Sequence, residues 1–443
     1  MMYGEKIESV LRKSKIEIGD KVEYDGFCGK LMPQTELGDP ESLVIKLSSG
    51  YNIGLKFNEE KSMSLVEKGT PIAFNPKESP VTSDEKKPNV SILGCGGTIA
   101  SRVEYTTGAV FPAFSPSDFV SSFPKLKDYA NLRSKKLFDL LSEDMTPDHW
   151  KVIANEVKSE IESGADGVVL MHGTDTMQYT ACALSFMLQN LPVPVILVGA
   201  QRSSDRASSD NELNLLSAVY SAANSEIADV MVCMHENLND KYCALHPGTR
   251  VQKLHTSRRD AFKTIGIGHY ARVDGYNAKI EMLNGRAYRK KDKKRPLVFD
   301  DRINPNVGMV WVHPSIKPEF IESLSKFYDG IVLVGTGLGH VPTNPKNDQF
   351  TRSIVPAIKS LTSSGIPVVM APQTIFGRIN MEVYTAGRML VNAGVIGNYC
   401  DWTPAASLVK LMFVLGHTKE MPKIKEMMET PIAGEITSRS VVL

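Results

Sequence analysis

The sequence predicts an α/β protein: a doubly wound parallel-sheet domain, a smaller C-terminal α/β domain after it, and a small β-rich, barrel-like domain before it. Three observations carry this. Short apolar runs such as "DGVVLMHGT", "PVILVGA" and "DVMVCMH" alternate with helical stretches, the pattern of parallel strands covered on both faces. A second series of such runs begins near Val307. Ahead of both, Gly19 to Gly69 holds short β-forming runs punctuated by glycine and polar turns.

Each part follows from its residues. "KVEYDGFCGKLMP", "SLVIKLSSGYNIGLKF" and "MSLVEKG" are spaced for a small, strongly curved barrel or sheet. "NPKESPVTSDEKKPN", Asn75 to Asn89, is charged, proline-bearing and nearly free of large apolar residues, which predicts a linker. From Val90, "VSILG" reads as a strand. "TPDHWKVIANEVKSEIES" reads as a helix, with Thr146 as cap, Pro147 in its first turn, and Trp150, Ile153, Val157 and Ile161 on one face. "YTACALSFMLQN" and "NELNLLSAVYSAA" are further helices between strands. In the last unit the strands are "VGMVWVH", "GIVLVGTG" and "IPVVMAP". The domains are placed at residues 1–85, 86–295 and 305–443. A basic connector, "RAYRKKDKKRP" (Arg286 to Pro296), reads as a solvated hairpin or linker, with an RNA or partner contact as the other reading.

Composition narrows the class. The chain has 443 residues, room for roughly three domains of about 150 residues. It is 42% hydrophobic and 23% charged, with a net charge of +1, so no global attraction to nucleic acid or membrane is implied. The N-terminus lacks a signal-peptide core, and no segment approaches the roughly 20 apolar residues of a membrane span. The six cysteines show no CxxC spacing, and the nine histidines form no HExxH or Cys/His cluster. Reduced thiols, a cytoplasmic location and no structural metal are the expectations.

Two strand ends attract chemistry. In "NVSILGCGGTIAS" a strand breaks into Gly94, Gly96 and Gly97 and delivers Thr98. A dinucleotide fingerprint would need glycine where Ile99 stands, and a P-loop would need Gly-Lys-Ser/Thr. What remains is a turn that lets backbone approach a ligand, carrying a hydroxyl at a helix N-terminus; the bland alternative is that Thr98 is only a helix cap. A later strand ends in His172, Gly173, Thr174, Asp175 and Thr176. Ligands of open parallel sheets sit at such carboxyl ends, so both threonines can face one crevice, unless Thr174 and Asp175 merely cap the next helix.

"GGTIAS" followed by "MHGTDTM" resembles the paired signatures of the bacterial-type L-asparaginases, glutaminases and their relatives. Four further pieces follow in that family's order. "EYTTGAV" resembles its mobile lid, with Tyr105. "LSEDMTPDHW" resembles the segment that holds the substrate's α-amino and α-carboxyl groups. "LVGAQRSSDRASSDNELNLLSAV" resembles the segment whose backbone, at Ala200, lies beside the reacting amide. "KLHTSRRDAF" resembles the segment presenting the active-site lysine, Lys253, which in isolation reads as a surface lysine. Together these cover about Val90 to Gly416. The resemblance implies the asparaginase-like fold, with Thr98 as first nucleophile and Tyr105 close to it. Thr174, Asp175 and Lys253 would form a second cluster that activates a hydroxyl or water. A buried carboxylate–ammonium pair suits that task if desolvation makes the lysine a proton carrier. Ser142 and Glu143 would bind the charged ends of a free amino acid. Backbone N–H groups around Thr98 and Thr174 would supply the oxyanion hole, with Gly97 and Gly173 among the substrate-binding residues. "NMEVYTAG" resembles the segment with which a neighbouring subunit completes the site, making Glu382 a candidate; the alternative is a solvated loop acid.

About 85 residues precede the first motif, and this together with "HTSRRDAF" resembles one branch of the family. That branch holds the asparaginase-like subunits of archaeal tRNA-dependent amidotransferases. It implies a homodimer core within a heterotetramer, a GatE-like partner that holds ATP and magnesium, and tRNA(Gln) contacted mainly through that partner. No cofactor is expected in this chain. Glutamine or asparagine would be the amide donor; Glu143 beside Ser142, where plain asparaginases commonly carry glutamine, leaves the preference open. A free-standing asparaginase with an accessory domain, or a non-catalytic binding protein on the same fold, are the competing readings.

Overall fold

The computed structural model describes residues 3–34, 38–48, 52–69, 84–97, 101–103, 110–112, 123–202, 208–283 and 288–440, with 101–103 and 110–112 described as backbone only. Most of the expected linker, Thr98, Tyr105 and the rest of the lid motif to Ala109 lie outside these residues.

The N-terminal strands form a five-stranded antiparallel sheet in the order Asn52–Lys56, Ser42–Leu47, Phe27–Leu31, Lys21–Tyr24, Met63–Glu67. One helix, Glu5–Lys13, went unread in the sequence. It presents Ile7 and Leu11 to a core of Val22, Tyr24, Leu31, Leu43 and Ile45. Tyr3 fastens it: its hydroxyl donates to Met32 O and accepts from Val44 N–H, and burial pushes the phenol up to about 12.

The central sheet has eight strands. Five are parallel, lying side by side as Asn131–Leu140, Asn89–Gly96, Gly167–Met171, Val195–Val198 and Val230–His235. Cys243–Pro247, Ala271–Asp274 and Lys279–Met282 then continue it antiparallel. In chain order the parallel part reads second, first, third, fourth, fifth. The order therefore reverses between Asn89–Gly96 and Gly167–Met171, the position at which doubly wound sheets bind ligands. Alternate residues fill both faces: Ile92, Val169 and Ile196 pack toward helix Asn211–Asn224, while Leu93, Leu170 and Leu197 face helices Pro147–Glu162 and Met177–Met187. Helix Pro147–Glu162 starts as the sequence predicts: Thr146 precedes Pro147, and the His149 ring accepts from Thr146 N–H at 3.0 Å.

The third sheet is parallel, Val307–Trp311, Gly330–Gly335 and Val368–Pro372. Helix Pro404–Leu415 carries it onto the central unit, stacking Phe413 on Phe186 at 6.0 Å, so the two α/β units share one core. Truncating either ring to alanine would cost about 3–5 kcal/mol.

The described part of the basic connector exposes Lys290, Lys293 and Lys294, as a solvated linker would, but it is tied to the sheet. Ala228 N–H donates to Arg289 O (2.7 Å), Asp292 N–H to Pro192 O (3.0 Å), Arg295 to Leu191 O (3.0 Å), and Lys293 pairs with Asp166. These anchors precede the strands starting at Gly167, Val195 and Val230. The connector thus crosses the amino-terminal rim of the sheet, opposite the rim where the threonine motifs emerge. Among the described residues, no helix is long and apolar enough to cross a membrane. All six cysteines are free, Cys28 exposed and the other five buried.

Candidate active site

The two glycine-rich strand ends meet. Gly97 has φ +87, and a Cβ built on it would lie 2.4 Å from the Cα and N of Gly173. Its N–H donates to Leu140 O at 3.1 Å, which fixes the turn against the outer strand. Gly173 in turn leaves no room for a side chain: a Cβ there would meet Ser142 Cβ at 2.6 Å. Thr98 follows Gly97 directly in the chain, and Thr174 follows Gly173. Tyr105 is bracketed by Ser101–Val103 and Val110–Pro112, whose backbones pair antiparallel.

Three of the expected side chains come together. Lys253 Nζ lies 2.8 Å from Thr174 Oγ1 and 2.6 Å from Asp175 Oδ1. It arrives from a hairpin of Val251–Lys253 and Phe262–Thr264, and Lys253 N–H donates to Gln178 Oε1 at 2.9 Å. An amine at this distance from a hydroxyl is in range to exchange its proton, and the carboxylate stabilises the charge that results. The expectation of a buried pair is corrected on one side. The lysine side chain is 11% exposed, but the Asp175 side chain is 65% exposed. Lys253 reaches up from within the fold, whereas Asp175 stands just beyond the strand end, on the solvent side.

The floor beneath this cluster is rigid. His172 is fully buried; its Nδ1–H donates to Gly173 O (2.6 Å), so its Nε2 accepts from the Thr180 hydroxyl (2.9 Å). Burial pushes this imidazole down to about 4, leaving it neutral. Ser142 is buried in a single turn, Ser142–Asp144, and its Oγ accepts from Asp175 N–H at 3.2 Å. That bond leaves the hydroxyl proton and a lone pair for a ligand. Thr176 Oγ1 donates to Ser142 O (2.6 Å), tying the two segments together. Glu143 is exposed beside them.

Ala200 is set by a buried network. Asp210 accepts from Gln201 N–H (3.0 Å) and Arg202 N–H (3.0 Å), and Asn214 Nδ2 donates to Gly199 O (2.9 Å) and Asp210 (3.0 Å). His235 Nδ1 then holds Asn214 Oδ1 at 2.6 Å. His172 and Thr176 stand in the strand end the sequence singles out, and Asp210 and Asn214 in a family-like segment, but neither these four nor Gln178 has a role there. His172, Thr176 and Gln178 all lie within "HGTDTMQYT", a polar run entering an apolar helix.

Glu382 belongs to the C-terminal unit. It accepts from Asn398 Nδ2 (3.0 Å) and Tyr399 OH (2.6 Å), both from that same unit.

Comparison with known proteins identifies the fold and the family. The sequence model "Asparaginase, N-terminal" matches residues 89–286, "Glutaminase/Asparaginase C-terminal domain" matches 306–428, and "GatD N-terminal domain" matches 13–66. The L-asparaginase of Thermococcus kodakarensis superposes with a TM-score of 0.69 at 31% identity, covering 79% of this chain and 100% of its own. L-asparaginase I of Vibrio cholerae gives 0.67 at 29%, covering 79% and 99%. Neither accounts for the remaining fifth. The GatD subunit of glutamyl-tRNA(Gln) amidotransferase from Pyrococcus furiosus does: it is 45% identical over 438 residues, 98% of this chain and 95% of that one. Its counterpart in Pyrococcus abyssi is 46% identical over 429 residues, 96% and 94%. With its N-terminal β domain joined to an asparaginase fold, the chain belongs to the GatD family of glutamyl-tRNA(Gln) amidotransferase subunits.

Proposed function

We propose that this chain hydrolyses the side-chain amide of glutamine or asparagine and supplies the ammonia to a GatE-like partner, which converts Glu-tRNA(Gln) to Gln-tRNA(Gln) with ATP and magnesium. The observation that carries the hydrolytic half is the Lys253–Thr174–Asp175 cluster at the strand-order switch point. In the proposed reaction Thr98 Oγ attacks the amide carbon, its hydroxyl proton passes to the amide nitrogen, the C–N bond breaks, and ammonia leaves. Water, activated at Thr174 by Lys253, then cleaves the ester and frees the carboxylate. The Gly97 N–H expected in the oxyanion hole is held by Leu140 O, so other backbone N–H groups around Thr98 and Thr174 would hold the oxyanion, a role worth roughly 3–4 kcal/mol per donor in other hydrolases. Ser142 and Glu143 would receive the amino acid's charged ends, and Glu382 would reach the site of a second copy in a homodimer core. The tRNA and ATP steps are assigned to the partner, the assembly to a heterotetramer, and the compartment to the cytoplasm.

The test is ammonia release from glutamine and from asparagine, with and without partner and acceptor tRNA. Turnover should be low for the chain alone, rise with both additions, and vanish in Thr98→Ala and Lys253→Ala. Full turnover of asparagine by the chain alone would instead mark a free-standing asparaginase.

A further inference from the structure

Three residues before Lys253, Arg250 is completely buried and turned toward the C-terminal unit. Its Nη2 donates to Asp401 Oδ2 (2.9 Å), Nη1 to Asp401 O (2.6 Å) and Nε to Gly434 O (3.1 Å). The socket is itself braced. Asp401 accepts from Thr437 N–H (2.9 Å) and from the Thr437 hydroxyl (2.5 Å), and Arg378 donates to Thr437 O (2.8 Å). Beside it, the Thr249 hydroxyl donates to Ala433 O (3.0 Å).

The backbone of Arg250 is the root of the hairpin that presents Lys253. Its carbonyl accepts from Ile265 N–H (2.8 Å), closing the ladder in which Val251 pairs with Thr264 and Lys253 with Phe262. Gln178 holds the far end of that strand. A buried ion pair is weak evidence of stability, since well-packed apolar residues often do as well. What a planar guanidinium supplies is direction: three bonds at fixed angles define both the position and the tilt of the hairpin root.

We infer that Arg250 is a positioning residue: clamped by Asp401 and Gly434, with Thr437 bracing Asp401, it sets where Lys253 meets Thr174. The inference rests on the hydrolytic reading of Lys253. It gives the C-terminal segment a task in chemistry carried out on the central sheet.

The assay is steady-state amide hydrolysis by the full chain in complex with its partner, with kcat, KM, the pH dependence of kcat and Tm measured together. Arg250→Lys keeps the charge but loses the fork, and displacement of a reacting group by about 1 Å costs about 100-fold. A fall in kcat of about 10- to 100-fold is expected, with KM within about two-fold and the kcat–pH profile displaced. Thr437→Val, a milder change outside the hairpin, should lower kcat by about three- to ten-fold, and should add nothing in an Arg250→Lys background. Lys253→Ala separates the two levels. If it retains wild-type turnover, the hydrolytic reading fails and this inference with it. If it is inactive while folded Arg250→Lys and Thr437→Val keep wild-type kcat and pH profile, only the positioning role is overturned. Should Arg250→Lys not fold, Thr437→Val alone decides.

Discussion

Two lysine–carboxylate pairs in this chain live under opposite conditions. Lys410 and Glu435 are both fully buried, and Lys410 Nζ has three acceptors: Met428 O (2.7 Å), Thr430 O (2.6 Å) and Glu435. Glu435 also accepts from Ile432 N–H (3.0 Å) and Ala433 N–H (2.7 Å). Every ammonium proton is placed, so this pair can only hold the segment after helix Met421–Glu429 against helix Pro404–Leu415. At Lys253, by contrast, one acceptor is a hydroxyl with a proton of its own, and the carboxylate opens to solvent. Saturated and dry, the pair is a fastener; unsaturated and half-wet, it can move a proton and admit a ligand.

Exchanging the same mutation between the two sites is the sharpest way to break this contrast. Lys253→Met should lower ammonia release by about 10³-fold or more while Tm stays within a few degrees. Lys410→Met should do the reverse: losing one partner of a buried pair costs about 3–5 kcal/mol, read in urea unfolding, with kcat per folded molecule unchanged. Adding Glu435→Leu should restore most of that loss, because no uncompensated charge remains. If Lys410→Met lowers kcat as much as Lys253→Met does, the distinction collapses.

A third, somewhat smaller effect comes from the floor between the glycines. His172 ionises near 4 when folded, against an ordinary 6.5. Between these values the unfolded chain binds a proton that the folded chain refuses. Stability is therefore complete above about pH 6.5 and falls, on acidification toward pH 4, by roughly 3 kcal/mol. Unfolding curves across this range should flatten in His172→Gln. The smallest effect is ionic. Raising salt from about 0.1 M to about 1 M should weaken the coupling of Lys253 to exposed Asp175 measurably, and leave that of Lys410 to Glu435 unchanged in a double-mutant cycle.

What the sequence disclosed follows from locality. Thr174 and Asp175 are legible because a glycine and polar residues end an apolar strand, and Lys253 because it sits in a recognisable run. The tasks of Arg250 and Gln178 are not, since their partners lie 151 and 75 positions away. The exposure of Asp175 was misjudged for a related reason: residue type signals a charge pair, but which side faces water depends on how two distant elements cross. Helix Glu5–Lys13 was missed because it is nine residues long with only Ile7 and Leu11 facing inward, too brief a period to register. The basic connector read as linker from its charge, yet its backbone pairs with residues far ahead of it in the chain.

The contact between Gly97 and Gly173 has a consequence for inheritance. Any missense change in a glycine codon adds at least one carbon, and at these two positions that carbon would overlap backbone or the Ser142 side chain at 2.4–2.6 Å. Both codons should therefore tolerate synonymous changes alone. In a library of all single-nucleotide variants under selection for growth, they should stand as two columns with silent changes alone.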